Sequence, residues 1–128
     1  MTPIMLSAGE GRRYAMGKLT AVFKADEEET GCRYSASEWW MEPGFEGVGP
    51  HSHVENDEIF LVIEGAPEIL VGDAWRALGK GAFVRIPANI MHDFRNRSDK
   101  KAALFNFFIP GGFERSMPQI VKWFEEQA

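Results

Sequence analysis

Four side chains that can bind a metal ion stand in two short segments of the sequence. His51 and His53 are separated by one serine, Glu58 follows five residues after His53, and His92 lies in the segment GAFVRIPANIMHDFRN. These segments contain all three histidines of the chain. Three neutral imidazole nitrogens and one carboxylate oxygen suit a borderline divalent transition metal and leave positions for water or substrate. We therefore predict one divalent metal ion per chain, the candidates being iron, manganese, nickel, copper, cobalt and zinc.

The spacing of these residues sets conditions on the backbone. Side chains alternate between the two faces of a strand, so His51 and His53 point the same way. The step from His53 to Glu58 is odd, and a continuous strand would direct the carboxylate to the other face. We therefore predict a turn or bulge in the intervening VEND stretch. His92 joins the site if its strand runs beside that of His51; otherwise the histidines have the more common role of surface or hydrogen-bonded structural residues.

The rest of the chain has the pattern of short strands separated by glycine, proline and polar turns. Predicted strands cover residues 19–24, 33–41, 57–64, 68–71, 74–78, 83–86, 92–96 and 103–109. The acidic segment DEEETG (26–31) is predicted to be a solvent-exposed hairpin tip. Short strands at such regular spacing are typical of an all-β sandwich or barrel. Only residues from about 117 to 127 have a helical pattern, and we expect this short helix to pack across the outside of the barrel.

Composition limits the classes of function. The chain has 128 residues, 45% hydrophobic and 26% charged, which predicts one soluble domain covering residues 1–128. A formal net charge of -5 disfavours nucleic-acid binding. The longest uninterrupted apolar run, residues 59–63, is too short to cross a membrane, and the apolar run near the start is too short for a secretory signal. We therefore expect a cytoplasmic protein without nucleic-acid or membrane partners, in keeping with the lone Cys32.

The first histidine segment resembles the first motif of the cupin family. That motif runs through His-x-His, three or four residues, glutamate, six residues and glycine. His51, His53, Glu58 and Gly65 match it with four and six intervening residues. The glycine expected before the histidines is replaced by Phe45, so the approach loop is expected to differ in shape.

The second histidine segment resembles the second cupin motif. Its pattern is glycine, five residues, proline, one residue, glycine, two residues, histidine, three residues and asparagine. Gly81, Pro87, His92 and Asn96 fall in register. Asn89 replaces the inner glycine, and this is a mild change because asparagine also tolerates the left-handed backbone conformation that a turn requires.

The resemblance covers residues from about 35 to 113 and implies a small β-barrel of jelly-roll type. It also implies a metal inside the barrel, bound by His51, His53, Glu58 and His92, and a chain that is usually homodimeric. In residues 59–63 (IFLVI) both strand faces are apolar. One face would meet the barrel interior, and the other a second sheet, a terminal segment or a second subunit.

Within the family, the segments IFLVIEG, VGDAWRAL and PGGFE are similar to proteins labelled quercetin-dioxygenase-like. This similarity implies a metal-dependent enzyme of dioxygenase type that acts on a small organic substrate. Glu58 would be either a fourth metal ligand or the catalytic base that removes a substrate proton. Two alternatives stay open, because the fold carries many functions: a redox-neutral isomerase, lyase or cyclase, and a non-enzymatic module that binds a small ligand.

Residues in phase with Glu58 and His92 are predicted to line the substrate pocket. In phase are Phe60, Val62 and Phe94, and further candidates on neighbouring strands are Trp40, Met41, Asn106 and Phe108. Ordinary barrel core is the alternative interpretation for all of them. An apolar, aromatic lining would favour a planar or hydrophobic substrate over a sugar.

Overall fold

The protein is built mostly of β-strands. The structure, a computed structural model, describes residues 2–128. Its strands are β1 (Arg12–Met16), β2 (Leu19–Ala25), β3 (Ser35–Met41), β4 (Asp57–Glu64), β5 (Glu68–Val71), β6 (Ala74–Ala77), β7 (Phe83–Ile86), β8 (His92–Arg95) and β9 (Ala102–Ile109). Its helices are α1 (Glu27–Thr30) and α2 (Met117–Gln127), the latter preceded by a 3-10 turn at Phe113–Ser116.

The strands form two antiparallel sheets around a shared core. The order is β1-β2-β3-β9-β4-β7 in the six-stranded sheet and β6-β5-β8 in the three-stranded sheet. Two isolated bridges connect the segment before β4 to the other sheet: His51 pairs with His92 at the start of β8, and Phe45 pairs with Asn96, just after β8. Inward side chains of both sheets, such as Phe60 and Ile69, are buried between them. This is the all-β jelly-roll barrel with a short C-terminal helix that the sequence predicts.

The predicted strands agree with β2 to β9 to within two residues at each end. β1 was not predicted. It pairs only with β2 at one edge of the larger sheet, and most of its side chains are exposed. An edge strand of this kind has no clear alternation of apolar and polar residues, which is the pattern on which strand prediction depends.

The acidic segment 26–31 connects the antiparallel strands β2 and β3, as predicted for a hairpin, but it is not fully exposed to solvent, so that part of the prediction was wrong. The segment contains the short helix α1, and Asp26 before it is only 2% exposed. The Asp26 carboxylate accepts hydrogen bonds from the backbone N–H groups of Gly112, at 2.6 Å, and Glu114, at 2.7 Å. The first acidic residue thus joins two distant segments of the chain, while Glu27 and Glu28 remain at the surface.

β4 is apolar on both faces, as the sequence shows. Phe60 and Val62 point into the core, whereas Leu61 points outward beside Phe83, its partner on β7. Phe83 is 64% exposed. Most outward side chains of β4, β7 and β9 are apolar, and with Arg85 beside them they form a surface, here called the outer face, that comprises Ile59, Leu61, Ile63, Phe83, Phe105 and Phe107. A homodimer that covers this face stays a prediction.

Helix α2 packs against β1, so part of it lies on the outside of the barrel as expected. Its apolar residues also reach the barrel mouth, where Ile120, Trp123 and Phe124 line a cavity shared with two of the histidines. Met117 at its start is fully buried. Within residues 2–128, no helix has the length and apolarity needed to span a bilayer.

Candidate metal centre

A pair of backbone hydrogen bonds brings the two histidine segments together. The N–H of His51 donates to the carbonyl of His92 at 3.0 Å, and the N–H of His92 donates to the carbonyl of His51 at 2.8 Å. The two imidazole rings consequently lie 4.4 Å apart, measured between their centroids. The strand of His92 therefore runs beside the segment of His51, which is the condition that the sequence set for a shared site.

The chain bends between His53 and β4, as the odd spacing to Glu58 predicts. Residues 54 and 55 form a bend outside the strands, and β4 begins at residue 57. The carbonyl of His53 accepts a hydrogen bond from the N–H of Asn89 at 2.8 Å. Asn89 has a φ of 70°, so asparagine supplies the left-handed conformation at this glycine position of the motif. Glu58 is directed inward and is 3% exposed.

The imidazole rings are oriented by backbone carbonyls. Nδ1 of His51 lies 2.8 Å from the carbonyl oxygen of Gly49, and Nδ1 of His92 lies 2.9 Å from that of Ile90. A carbonyl oxygen can only accept, so both Nδ1 atoms carry the hydrogen, and in the neutral rings each Nε2 keeps the lone pair that can bind a metal. A hydrogen bond from Nδ1–H to a backbone carbonyl is typical of histidines that bind metals through Nε2.

Ligand atoms of His51, His53 and His92 all lie within 4.8 Å of one another. Oε1 of Glu58 adjoins two of them, at 3.4 Å from Nε2 of His53 and 2.6 Å from Nε2 of His92. These two nitrogens and Oε1 are buried and have no hydrogen-bond partner in the part of the chain that the structure describes. Buried polar atoms are rarely left unpaired without a ligand or function.

The charges of the site are set by burial and by close contacts. Burial opposes the ionisation of Glu58, but its contacts with His53 and His92 outweigh burial and lower the pKa of the carboxyl group. Burial lowers the pKa of His51. Burial also acts to lower the pKa of His92, but the contact with Glu58 outweighs burial, so the pKa of His92 is raised. The residues thus offer one anionic oxygen and imidazole nitrogens, a donor set that fits a divalent transition metal.

A cavity of about 430 Å³ leads from this centre to the barrel mouth. Its lining comprises Trp39, Val48, Gly49, Pro50, His51, His53, Glu58, Phe94, Asn106, Phe108, Phe113, Ser116, Ile120, Trp123 and Phe124. Six of these fifteen residues are phenylalanine or tryptophan. The sequence alone could not identify Phe113 and the residues of α2, since they reach the cavity through tertiary packing.

The predicted pocket residues fall into two groups. The structure places Phe94, Asn106 and Phe108 in the cavity lining. Three others are buried core residues that do not line this cavity: Met41, Phe60 and Val62. Trp40 also lies outside the cavity, on the outer side of β3, where its indole N–H donates to Glu38.

Trp39, not Trp40, is the tryptophan that enters the cavity. Ser37, Trp39 and Met41 alternate inward along β3. The sequence gives two adjacent tryptophans with no difference in polarity, so the phase of this strand could not be read from them.

Asp93 holds the loop that leads to His51. Its carboxylate accepts hydrogen bonds from the N–H groups of Val48 and Gly49, both at 3.2 Å. Gly47 has a φ of 102°, and a Cβ atom there would lie 2.7 Å from Oδ2 of Asp93, so both the backbone and the contact favour glycine. Phe45, which replaces the glycine of the first motif, is buried and bridges to Asn96. Sequence reasoning missed Asp93, although it directly follows His92.

Comparisons with known proteins agree with this architecture. The family described as Cupin domain matches residues 37–108, which is more than half of the chain. Over 99 residues the chain is 31% identical to quercetin 2,3-dioxygenase from Bacillus subtilis (strain 168). The alignment covers 77% of this chain but 29% of that enzyme, so the chain spans less than a third of its length.

Solved structures share the fold at low sequence identity. KdgF from Halomonas sp. has a TM-score of 0.76 and 18% identity, over 89% of this chain and 99% of that one. A predicted oxalate decarboxylase from Thermotoga maritima has a TM-score of 0.74 and 14% identity, over 84% of this chain and 99% of that one. Identities this low show a common fold only, so the reaction is inferred from the chemistry of the site.

Proposed function

This chain belongs to the cupin family, and we propose that it is a metal-dependent enzyme of dioxygenase type that acts on a small apolar or aromatic organic molecule. The observation that carries the proposal is the convergence of three histidines and Glu58 at the inner end of an aromatic cavity. The identity shared with part of the Bacillus subtilis quercetin 2,3-dioxygenase supports the choice of reaction type.

His51, His53 and His92 would hold the ion through their Nε2 atoms, and Glu58 would add Oε1. A bound ion would polarise a substrate oxygen and, if redox-active, would allow electrons to pass between substrate and dioxygen. In a dioxygenase reaction both oxygen atoms enter the organic substrate, so no further reductant is needed. The candidate metals are iron, manganese, nickel, copper, cobalt and zinc, all of which this donor set can bind.

The cavity lining favours an uncharged substrate. Among the described residues that line it, Glu58 is the only carboxylate, and no lysine or arginine is present. The bound ion would then be the only positive charge available to the substrate, so the walls favour a substrate that is uncharged away from the oxygen that meets the ion. Rings such as Phe94 and Phe108 offer flat apolar surfaces on which an aromatic substrate can stack.

Two features of the chain control protons and water near the substrate. Oε1 of Glu58 is the buried carboxylate oxygen nearest the histidines, so it is placed to accept a proton from a substrate hydroxyl group if it is not bound to the ion. Apolar residues of α2 form part of the cavity wall and reduce the access of water.

The test is oxygen uptake by protein loaded with each candidate metal in turn. The substrates would be neutral aromatic compounds with adjacent hydroxyl and carbonyl groups, quercetin among them, and the Glu58→Gln variant and the zinc-loaded protein would be controls. Substrate-dependent oxygen uptake with a redox-active metal, weakened in Glu58→Gln, would support the proposal. Turnover without oxygen uptake would replace it with a redox-neutral isomerase, lyase or cyclase. Ligand binding without turnover would leave a non-enzymatic binding module.

A further inference from the structure

The two carboxylate oxygens of Glu58 have different surroundings. Oε1 lies beside His53 and His92. Oε2 accepts a hydrogen bond of 2.7 Å from Nδ2 of Asn106, a buried residue that is 2% exposed. Asn106 extends inward from β9, opposite Phe60 on β4, so the two neighbouring strands hold the asparagine and the glutamate side by side.

The orientation of the Asn106 amide follows from the charge of Glu58. An anionic carboxylate only accepts hydrogen bonds, so the amide must direct its NH₂ group toward Oε2. The amide oxygen Oδ1 is then left buried without a hydrogen-bond partner among residues 2–128. An unpaired buried oxygen lowers stability. The Asn106 amide nevertheless keeps the orientation in which its NH₂ group donates to Glu58.

We propose that Asn106 is a positioning residue that holds Oε2 of Glu58, so that Glu58 presents Oε1 alone to the ion. This inference rests on the proposed function, because it assumes that the histidines bind a metal. On this proposal Glu58 binds the ion through one oxygen, Oε1. A free glutamate could rotate its carboxylate and offer either oxygen or both. The hydrogen bond from Asn106 removes that freedom by fixing one oxygen away from the histidines.

Cobalt(II) is the probe that tests this role, because its absorption spectrum depends on the number and geometry of its ligands. Dissociation constants and spectra would be measured for the wild type and for Asn106→Leu, which is similar in size but has no donor. Asn106→Ala, which removes the donor and leaves a smaller side chain, would serve as a second variant should Asn106→Leu fail to fold. We expect cobalt to bind about 10- to 100-fold more weakly to either variant, as for other changes behind a metal ligand, with an altered spectrum.

Two controls separate positioning from a general loosening of the core. Leu104→Ala changes a buried residue on the same inward face of β9 that does not line the cavity, and it should lower stability without changing cobalt affinity. In a Glu58→Ala background, Asn106→Leu should cause no further loss, because its effect passes through Glu58.

The outcomes distinguish the two proposals. If the wild type binds no cobalt, the proposed metal site fails and the role of Asn106 fails with it. If the wild type binds cobalt and Asn106→Leu has the same affinity and spectrum, only the role of Asn106 is overturned. An equal loss of affinity in the Glu58→Ala background would likewise overturn it, since Asn106 would then act by another route.

Discussion

Asp26 and Glu58 are both buried carboxylates, 2% and 3% exposed, but their oxygens have different partners. Both oxygens of Asp26 accept backbone N–H groups, from Gly112 and Glu114. Glu58 receives one hydrogen bond, from Asn106, and its other oxygen has no hydrogen-bond partner among the described residues. Asp26 thus has both oxygens paired within the fold, whereas Glu58 has one oxygen that can bind a ligand.

The same contrast holds for other buried polar residues. Asn96 donates to the carbonyls of Met41 and Lys100, and its oxygen accepts from Ser98, so the amide is satisfied. By comparison, His53 and His92 each have a buried Nε2 without a hydrogen-bond partner in residues 2–128. Satisfied buried polar groups stabilise a fold, whereas a cluster with several unpaired atoms indicates a place for a ligand.

The largest effect on the apoprotein is expected from Asp26→Ala. The change leaves two backbone N–H groups without their acceptor, and each such loss costs about 1–3 kcal/mol, so we expect the free energy of unfolding to fall by about 3 kcal/mol. Urea denaturation followed by circular dichroism would measure it. Asp26→Asn keeps one acceptor, so its free energy of unfolding should fall by less. Equal stability of the wild type and Asp26→Ala would contradict a structural role for this carboxylate.

Metal binding should stabilise the protein by a comparable amount. Binding to the folded state alone contributes about 2.7 kcal/mol when the free metal concentration is 100 times the dissociation constant. Thermal unfolding with and without the metal would detect a higher Tm. The shift should disappear in His92→Ala, whose own unfolding without metal provides the baseline, and a shift that survives this change would place the ion elsewhere.

Acidification should weaken metal binding. Protons compete for Nε2, and affinity falls by about tenfold per pH unit for each histidine that must lose a proton. Glu58 raises the pKa of His92, whereas burial lowers that of His51, so His92 protonates first as the pH falls. Titration of metal binding between pH 7.5 and about 5 would show the decline. An affinity independent of pH would argue against histidine ligands.

Glu58→Gln should have the smallest effect on the stability of the apoprotein. Glutamine keeps an acceptor for Asn106 and removes a buried charge, so we expect a change of about 1 kcal/mol or less in the free energy of unfolding. The comparison with Asp26→Ala in the same urea titration tests the contrast between the two regions. A loss as large as that of Asp26→Ala would show that Glu58 also has a mainly structural role.

The sequence was sufficient for the parts of the site that depend on local spacing. The alternation of His51 and His53, the turn before Glu58 and the strand positions all follow from neighbouring residues. The hydrogen bonds that Asp26 accepts from a distant segment were not predictable, because its partner Gly112 is 86 residues away. Helix α2 was predictable as a helix but not as a cavity wall, since its position depends on packing against the completed barrel.

Elemental analysis of protein purified without added metal or a histidine tag tests the central claim most directly. The control is the double variant His51→Ala, His92→Ala, with its fold checked by circular dichroism. We predict about one transition-metal ion per chain in the wild type and none in the variant. A folded wild type that holds no metal, even after exposure to each divalent ion in turn, would contradict the account and leave a barrel that binds its ligand through side chains alone.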